Sequence, residues 1–152
     1  MKKEERINSI IQTIEKTRPL FKKLPLHIYG QIYKIENIKN GHTYIGKTIR
    51  HISDRYGGTH RNLIENWIEH TMLNNTNCKF IEEYFERPYR IKADNFIITP
   101  MLDVGYCKWH LDKLEVYWIE KYNSINNGYN TSQGNYKTDK GIEEFNKILE
   151  MV

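Results

Sequence analysis

The chain has 152 residues, which fits one domain with a hydrophobic core, and its formal net charge of +4 favours a polyanionic partner without requiring one. No apolar run is long enough to span a membrane or resembles a secretory signal, so we expect a cytosolic protein. Cys78 and Cys107 form no CxxC motif and no zinc spacing, which favours buried or partly buried free thiols.

The first predicted element is an amphipathic helix from about Glu4 to Lys16. Its isoleucines recur at i, i+3, i+4 and i+7 with polar residues between them, at Ile7, Ile10, Ile11 and Ile14. Pro19 and Pro25 are predicted to bound a short connector after this helix.

The second predicted element is a β-hairpin whose strands run from about Ile28 to Ile38 and from His42 to Thr48. Asn40-Gly41 lies between them. Asn-Gly between two strand-like runs is the strongest short-range hairpin signal, because a type I′ turn needs positive φ at both of its central residues. We therefore expect a type I′ turn here.

Each strand of this hairpin carries a tyrosine within a short motif. The first motif is Gly-Gln-Ile-Tyr at 30–33 and the second is Tyr-Ile-Gly-Lys at 44–47. Ten residues, 34–43, separate Tyr33 from Tyr44. The spacing predicts that the two phenols lie on neighbouring strands of one sheet. Because tyrosine is also a common strand residue, packing alone is the alternative interpretation.

The region after the hairpin is predicted to be mainly helical. The segments are a helix-like stretch from His51 to Tyr56, a helix from Thr59 to about Leu73, a polar loop from Asn74 to Asn77, and a short helix from Phe80 to Phe85 that Pro88 ends.

The second half of the chain predicts one strand and two helices. Phe96 to Val104 is the strand, and Pro100 makes it an edge strand or a broken one, because proline cannot donate to the ladder. Cys107 to Ser124 is the clearest helix, closed by Asn127-Gly128, and a short helix covers about Lys140 to Leu149. These elements predict one α+β domain with helical extensions at both ends.

Glu115 is the most unusual residue of the long helix, because it falls within the apolar stripe rather than opposite it. The stripe consists of Leu111, Leu114, Trp118, Ile119 and Tyr122. A buried carboxylate is costly unless it is paired or binds a metal. Glu115 could therefore pair with a buried arginine or a phenol, reach water at the stripe edge, or hold a hard cation such as Mg²⁺. Glu120 falls on the solvated face.

Together these motifs resemble the GIY-YIG nuclease family over about Ile28 to Thr131. The resemblance implies a small three-stranded antiparallel sheet flanked by helices. It also implies a nuclease domain at 27–135 between an N-terminal helical extension at 1–26 and a C-terminal helical tail at 136–152. The N-terminal helix could dimerise, bind DNA or cover the sheet, and covering the sheet is the expected role.

The resemblance also implies a set of catalytic residues. They are Tyr33, Tyr44, Arg55 in Ser-Asp-Arg-Tyr, Glu115 in Leu-Glu-Val-Tyr-Trp-Ile as the metal ligand, and Asn130 in Gly-Tyr-Asn-Thr, which helps to hold the site together.

Two features depart from the family pattern. The glycine of the first motif, Gly30, lies one place earlier than in a strict Gly-Ile-Tyr. His60 follows Arg55 by five residues, with two glycines between them, so its place in the site is open and a surface histidine is the alternative.

Further basic residues are candidates for contacts with nucleic acid. Lys47 is an accessory candidate that could contact phosphate or lower the pKa of a phenol. The candidates for contacts with the nucleic-acid backbone are Lys47, Arg50, Arg61 and the pair Lys22-Lys23. Each of them could equally be an ordinary surface residue.

The implied activity is that of a DNA endonuclease using one metal ion, Mg²⁺ or Mn²⁺, in agreement with a single well-placed carboxylate. Tyr33 would be the general base, Tyr44 would bind the phosphate or the water, and Arg55 would stabilise the developing charge. A non-cleaving nucleic-acid-binding protein on the same fold is the alternative, followed by an unrelated α+β protein with a structural Arg55–Glu115 ion pair. The oligomeric state is open, with a homodimer as one option.

Overall fold

A computed structural model describes residues 2–50, 85–86, 90–91 and 95–152. Its helices are α1 (Lys3–Phe21), α2 (Lys108–Tyr122) and α3 (Ile142–Leu149). Its strands are β1 (Gly30–Asn37), β2 (Thr43–Thr48), β3 (Phe85–Glu86), β4 (Arg90–Ile91) and β5 (Phe96–Gly105). No helix within these ranges is both long and apolar enough to cross a bilayer.

The predicted three-stranded antiparallel sheet is present, in the order β2-β1-β5. β3 and β4 pair separately as a short antiparallel ribbon. Phe85 therefore lies in a strand, and the prediction that a short helix ends at this residue is wrong. The other predicted elements between 51 and 84 lie outside the described residues.

Helix α1 is longer than predicted, because it continues through Pro19 to Phe21. Pro19 therefore does not begin a connector. Proline lacks the N–H that would close the last helical turn, but the residues on either side of it anchor that turn. Thr17 is 5% exposed and Phe21 is 3% exposed. Phe21 packs with Cys107, which is a free buried thiol as expected, and with Phe145 of α3.

The main core lies between α1, α2 and one face of the sheet. It contains Ile7, Ile10 and Ile14 of α1, two strand residues and the apolar side of α2. The strand residues are Ile32 and Ile45, both almost completely buried. The N-terminal helix packs mainly against α2 and shares this core with Ile32 and Ile45, so its role in covering the sheet stays a prediction.

The hairpin loop differs from the predicted type I′ turn. Within the loop only Gly41 has a positive φ, of 77°, whereas a type I′ turn would also require one at Asn40. Asn37 closes the loop instead: its N–H donates to the His42 carbonyl at 2.9 Å, and its own carbonyl accepts from the Gly41 N–H at 2.8 Å. Its side-chain oxygen also accepts from the Lys39 N–H at 3.0 Å. These bonds stabilise a longer loop.

Pro100 lies within β5, which has only β1 as a partner among the described strands. Ile32 pairs with Asp103 and Lys34 pairs with Thr99, so two steps along β1 correspond to four along β5. The extra residues form a bulge that accommodates the proline. The expected edge strand is confirmed.

Helix α2 ends earlier than predicted. Asn123 adopts the left-handed conformation with φ 48°, and its N–H donates to the Glu120 carbonyl at 3.1 Å. Gly128 therefore does not close the helix. It brings the chain against β2, because a Cβ at Gly128 would overlap the Thr43 carbonyl and lie 2.8 Å from the Ser124 carbonyl.

Candidate active site

Tyr33 and Tyr44 form a pair on one face of the hairpin, on neighbouring strands as the spacing predicts. Tyr33 lies opposite Gly46 of β2, and Tyr44, two residues earlier in β2, shares the face of Gly46. The two ring centroids are 6.3 Å apart and their planes are inclined by 37°. Tyr33 is 5% exposed, whereas Tyr44 is only half-buried. The pair can therefore present one shielded and one accessible phenol.

Gly46 provides the space that the Tyr33 ring occupies. A Cβ at this position would lie 2.8 Å from Cε1 of Tyr33 and closer still to its Cζ and hydroxyl. Carbon atoms in contact are normally at least about 3.5 Å apart. The glycine of the second motif is thus required by the close approach of the Tyr33 phenol to the backbone of β2.

Asn130 fastens the chain after α2 to the outer edge of β2. Its Oδ1 accepts from the Ile45 N–H at 2.8 Å, and its Nδ2 donates to the Ile45 carbonyl at 2.9 Å. The N–H of Tyr129 donates to the Thr43 carbonyl at 2.8 Å, which extends the same contact. The amide thus replaces a neighbouring strand at Ile45, directly between Tyr44 and Gly46.

Glu115 of α2 has a side chain that is 17% exposed. Burial raises the pKa of this carboxyl, the Lys47 ammonium opposes the rise, and the negative charge of Asp112 adds to it. The chain passes close to the carboxylate at Gly134, where φ is 80° and a Cβ would lie 3.1 Å from Oε1 of Glu115. The site therefore disfavours the charged form that an isolated glutamate would have at neutral pH.

Lys47 connects β2 to two carboxylates of α2. Its Nζ is 2.6 Å from Oδ1 of Asp112 and 4.0 Å from Oε1 of Glu115. Lys108 Nζ lies 3.0 Å from the other Asp112 oxygen. Burial disfavours the Asp112 carboxylate, but hydrogen bonds from Lys47 and Lys108 outweigh burial and lower its pKa. Asp112 is consequently a charged, well-paired carboxylate beside a less well-paired one.

The tyrosine pair and the contacts of Lys47 lie on opposite faces of the sheet. The tyrosine pair lies on the face of Gly46, while Lys47 points to the opposite face, on which α2 packs. Tyr44 and Lys47 are three residues apart, about 10 Å along a strand. The described contacts of Lys47 thus run to the carboxylates of α2, and the predicted influence of Lys47 on a phenol would act across the strand.

The model of the GIY-YIG catalytic domain family matches residues 29–130. The chain belongs to the GIY-YIG family. The matched range contains the tyrosine pair, the α2 carboxylates and Asn130, and it makes the protein a nuclease, broadly an endonuclease that acts on nucleic acid. No curated protein and no solved structure is significantly similar to the chain.

Three of the predicted site residues lie outside the described part of this GIY-YIG domain. They are Arg55, His60 and Arg61. Arg50 is exposed just beyond the end of β2, and Lys22 and Lys23 are exposed after α1. Their contacts with nucleic acid stay predictions.

Asp112 is a site residue that was not predicted from the sequence. The sequence indicated a single well-placed carboxylate, whereas the structure places a second one, Asp112, 2.6 Å from Lys47. The available signal was spacing: Lys108, Asp112 and Glu115 follow each other at i, i+4 and i+7, which puts them on one side of a helix. Nothing in that spacing identifies Lys47 as the common partner, because Lys47 is distant in sequence.

The Glu115 carboxylate is an oxygen donor of the kind that a hard divalent cation takes. Nucleases of this family generally depend on such an ion. Among the described residues no three His, Cys, Asp or Glu side chains converge on one point. Mg²⁺ commonly binds through one or two carboxylates and completes its shell with waters and substrate phosphates. Glu115, partly buried yet still reachable, is suited to that kind of site.

Proposed function

We propose that this GIY-YIG protein hydrolyses phosphodiester bonds of DNA with the help of one divalent cation, Mg²⁺ or Mn²⁺. The observation that carries the proposal is the partly buried Glu115 carboxylate within the family-matched segment. Its burial disfavours the charged form, and a bound cation would reverse that preference.

Tyr33 is the proposed general base that takes a proton from the attacking water. An unperturbed phenol has a pKa of about 10, so positive charge near the hydroxyl must favour the phenolate. Lys47 follows the glycine that Tyr33 overlies but points to the opposite face of β2 and pairs with Asp112, so its charge would act on the phenol only across the strand. Tyr44, the more exposed phenol, would hydrogen-bond to the water or to the attacked phosphate.

The remaining residues supply charge stabilisation and position. Glu115 would hold the cation, which when bound supplies a Lewis acid for the scissile phosphate and for the departing 3′-oxygen. Arg55 is the predicted guanidinium that stabilises the charge developing on the phosphate. Asn130 would keep Tyr44 and Gly46 in register through its two bonds to Ile45.

Metal-dependent cleavage of supercoiled plasmid tests this function. The protein is incubated with plasmid and Mg²⁺, Mn²⁺ or EDTA, beside Glu115→Gln and the matched control Glu120→Gln, which changes an exposed glutamate of the same helix. Nicked or linear plasmid should form only with metal. Glu115→Gln should lose at least about a hundredfold in rate, as when other preorganised electrostatic groups are removed, whereas Glu120→Gln should cleave normally.

Two results would contradict the assignment. Undiminished cleavage by Glu115→Gln would remove this residue from the metal site. Retention of the plasmid without cleavage, weakening steeply with added salt, would favour the non-cleaving binding protein, because neutralised phosphates release counterions. A parallel incubation with structured RNA identifies which nucleic acid is cut.

A further inference from the structure

We propose that Asp112 is a positioning residue that holds the Lys47 ammonium away from Glu115, so that the Glu115 oxygens stay available to a divalent cation. The proposal rests on the metal-binding role of Glu115 under the proposed function. It assigns to Asp112 a part in the site without contact with the metal or the substrate.

The distances show which carboxylate retains the lysine. Lys47 Nζ is 2.6 Å from Asp112 and 4.0 Å from Glu115, so the short charge-assisted hydrogen bond goes to Asp112. The Asp112 side chain is 6% exposed, and that of Lys47 is 36% exposed. The acceptor is therefore fixed by packing while the lysine keeps freedom to move.

The alternative partner is close enough to take the lysine. A shift of about 1 Å would bring Nζ from 4.0 Å to within hydrogen-bonding distance of Glu115. A direct hydrogen bond there would shorten the existing 4.0 Å ion pair and satisfy a carboxylate that burial destabilises, and it would occupy the oxygens that a cation must bind. Asp112 prevents this by offering the stronger site.

Lys108 provides the matched control. It binds the second Asp112 oxygen at 3.0 Å from an exposed position, with a side chain that is 64% exposed. Loss of Lys108 removes one charge from the same carboxylate but leaves the Lys47–Asp112 pair intact. A general effect of charge around Asp112 can thus be separated from the specific retention of Lys47.

The test is a double-mutant cycle read by Mn²⁺ binding, using electron paramagnetic resonance and no nucleic acid. The full-length proteins are wild type, Asp112→Asn, Lys47→Met and the double variant, with Lys108→Met and Glu115→Gln as controls. Asp112→Asn should weaken Mn²⁺ binding about 10- to 100-fold, the usual range for residues that orient a metal ligand. In the Lys47→Met background the same change should cost at least three times less.

The cycle distinguishes the proposal from two simpler explanations. If Asp112 itself binds the metal, or if its charge acts only through space, Asp112→Asn weakens binding by the same factor with and without Lys47, which overturns the proposal. Lys108→Met should change affinity by less than about twofold, and a loss as large as that of Asp112→Asn would also contradict it.

The wild-type protein provides a second measurement that needs no variant. Lysine ammonium NMR should detect a hydrogen bond from Lys47 Nζ to the Asp112 carboxylate, and a bond to Glu115 instead would overturn the proposal. If wild type and Glu115→Gln bind Mn²⁺ equally, the metal role of Glu115 fails, and the positioning role fails with it. If Glu115→Gln weakens Mn²⁺ binding but Asp112→Asn costs the same with and without Lys47, only the positioning role of Asp112 is overturned.

Discussion

Replacing Gly46 by alanine should damage the tyrosine pair more than the backbone. The new Cβ would lie 2.8 Å from Cε1 of Tyr33 and closer to its Cζ and hydroxyl. Since carbon contacts normally begin at about 3.5 Å, the phenol must move by about 1 Å or the strands must separate. Gly46 has no positive φ, so steric overlap and not backbone strain causes the damage.

The expected cost follows from that displacement. Overpacking of this kind typically destabilises by about 1–3 kcal/mol, and the lower entropy of an unfolded chain with alanine offsets about 0.4–1 kcal/mol of it. A net loss of about 1 kcal/mol, and at most about 2.6 kcal/mol, in the free energy of unfolding is therefore expected. A catalytic group misplaced by about 1 Å can lose about a hundredfold in rate.

Urea unfolding and single-turnover plasmid nicking measure the two effects. The matched control is the same substitution in a Tyr33→Ala protein, where the ring that would be struck is absent. Gly46→Ala should cost stability when Tyr33 is present and little when it is absent. Equal costs in both backgrounds, or wild-type stability and rate for Gly46→Ala, would refute the conclusion that the Tyr33 ring requires glycine at position 46.

Four further results are expected. Glu115→Gln should leave the urea midpoint in EDTA unchanged or raised, because burial raises the carboxyl pKa and disfavours its charge; a lower midpoint would contradict this. Asn130→Ala should lose about 1–3 kcal/mol in urea unfolding, because two backbone groups of Ile45 lose their partner, whereas wild-type stability would refute it. Burial lowers the His110 pKa from 6.5 to about 4, so the unfolded state binds the proton more tightly and stability should fall by about 2 kcal/mol between pH 7 and pH 5. His110→Gln should lack that part of the fall in parallel titrations. Deletion of residues 1–21 should abolish cooperative thermal unfolding, since it exposes the core that α1 shares with the sheet, and an unchanged transition would show that α1 is dispensable.

The structure also bears on the limits of the catalytic domain. The family match begins at residue 29, after α1 has ended, yet the buried isoleucines of α1 share one core with Ile32, Ile45 and α2. Lys113 of α2, 1% exposed, donates to the Asn135 and Thr138 carbonyls at 2.7 and 2.5 Å. Segments outside the matched range therefore pack directly on the helix that carries Glu115.

The local conformations illustrate what pattern recognition could not supply. Asn40-Gly41 correctly located the reversal of the chain, but the turn type depends on Asn37, whose bonds stabilise a longer loop. A proline usually ends a helix because it lacks the backbone N–H. Here α1 nevertheless continues past Pro19 to Phe21, whose buried side chain holds the last turn in place. The hairpin loop thus depends on one residue just before the turn signal, whereas α1 is extended by packing against residues distant in sequence, Cys107 and Phe145.

Local patterns along the chain were enough to predict the order of the elements around the site and which residues share a periodic face. Alternation along two strands was enough to pair Tyr33 with Tyr44, and helical periodicity was enough to single out Glu115, because both signals are local. The contacts of Lys47 with Asp112 and Glu115, and the bonds by which Asn130 completes the edge of β2, become visible only in the folded chain. Those contacts join residues at least 65 positions apart, and no local period of the chain encodes which distant partner a side chain reaches.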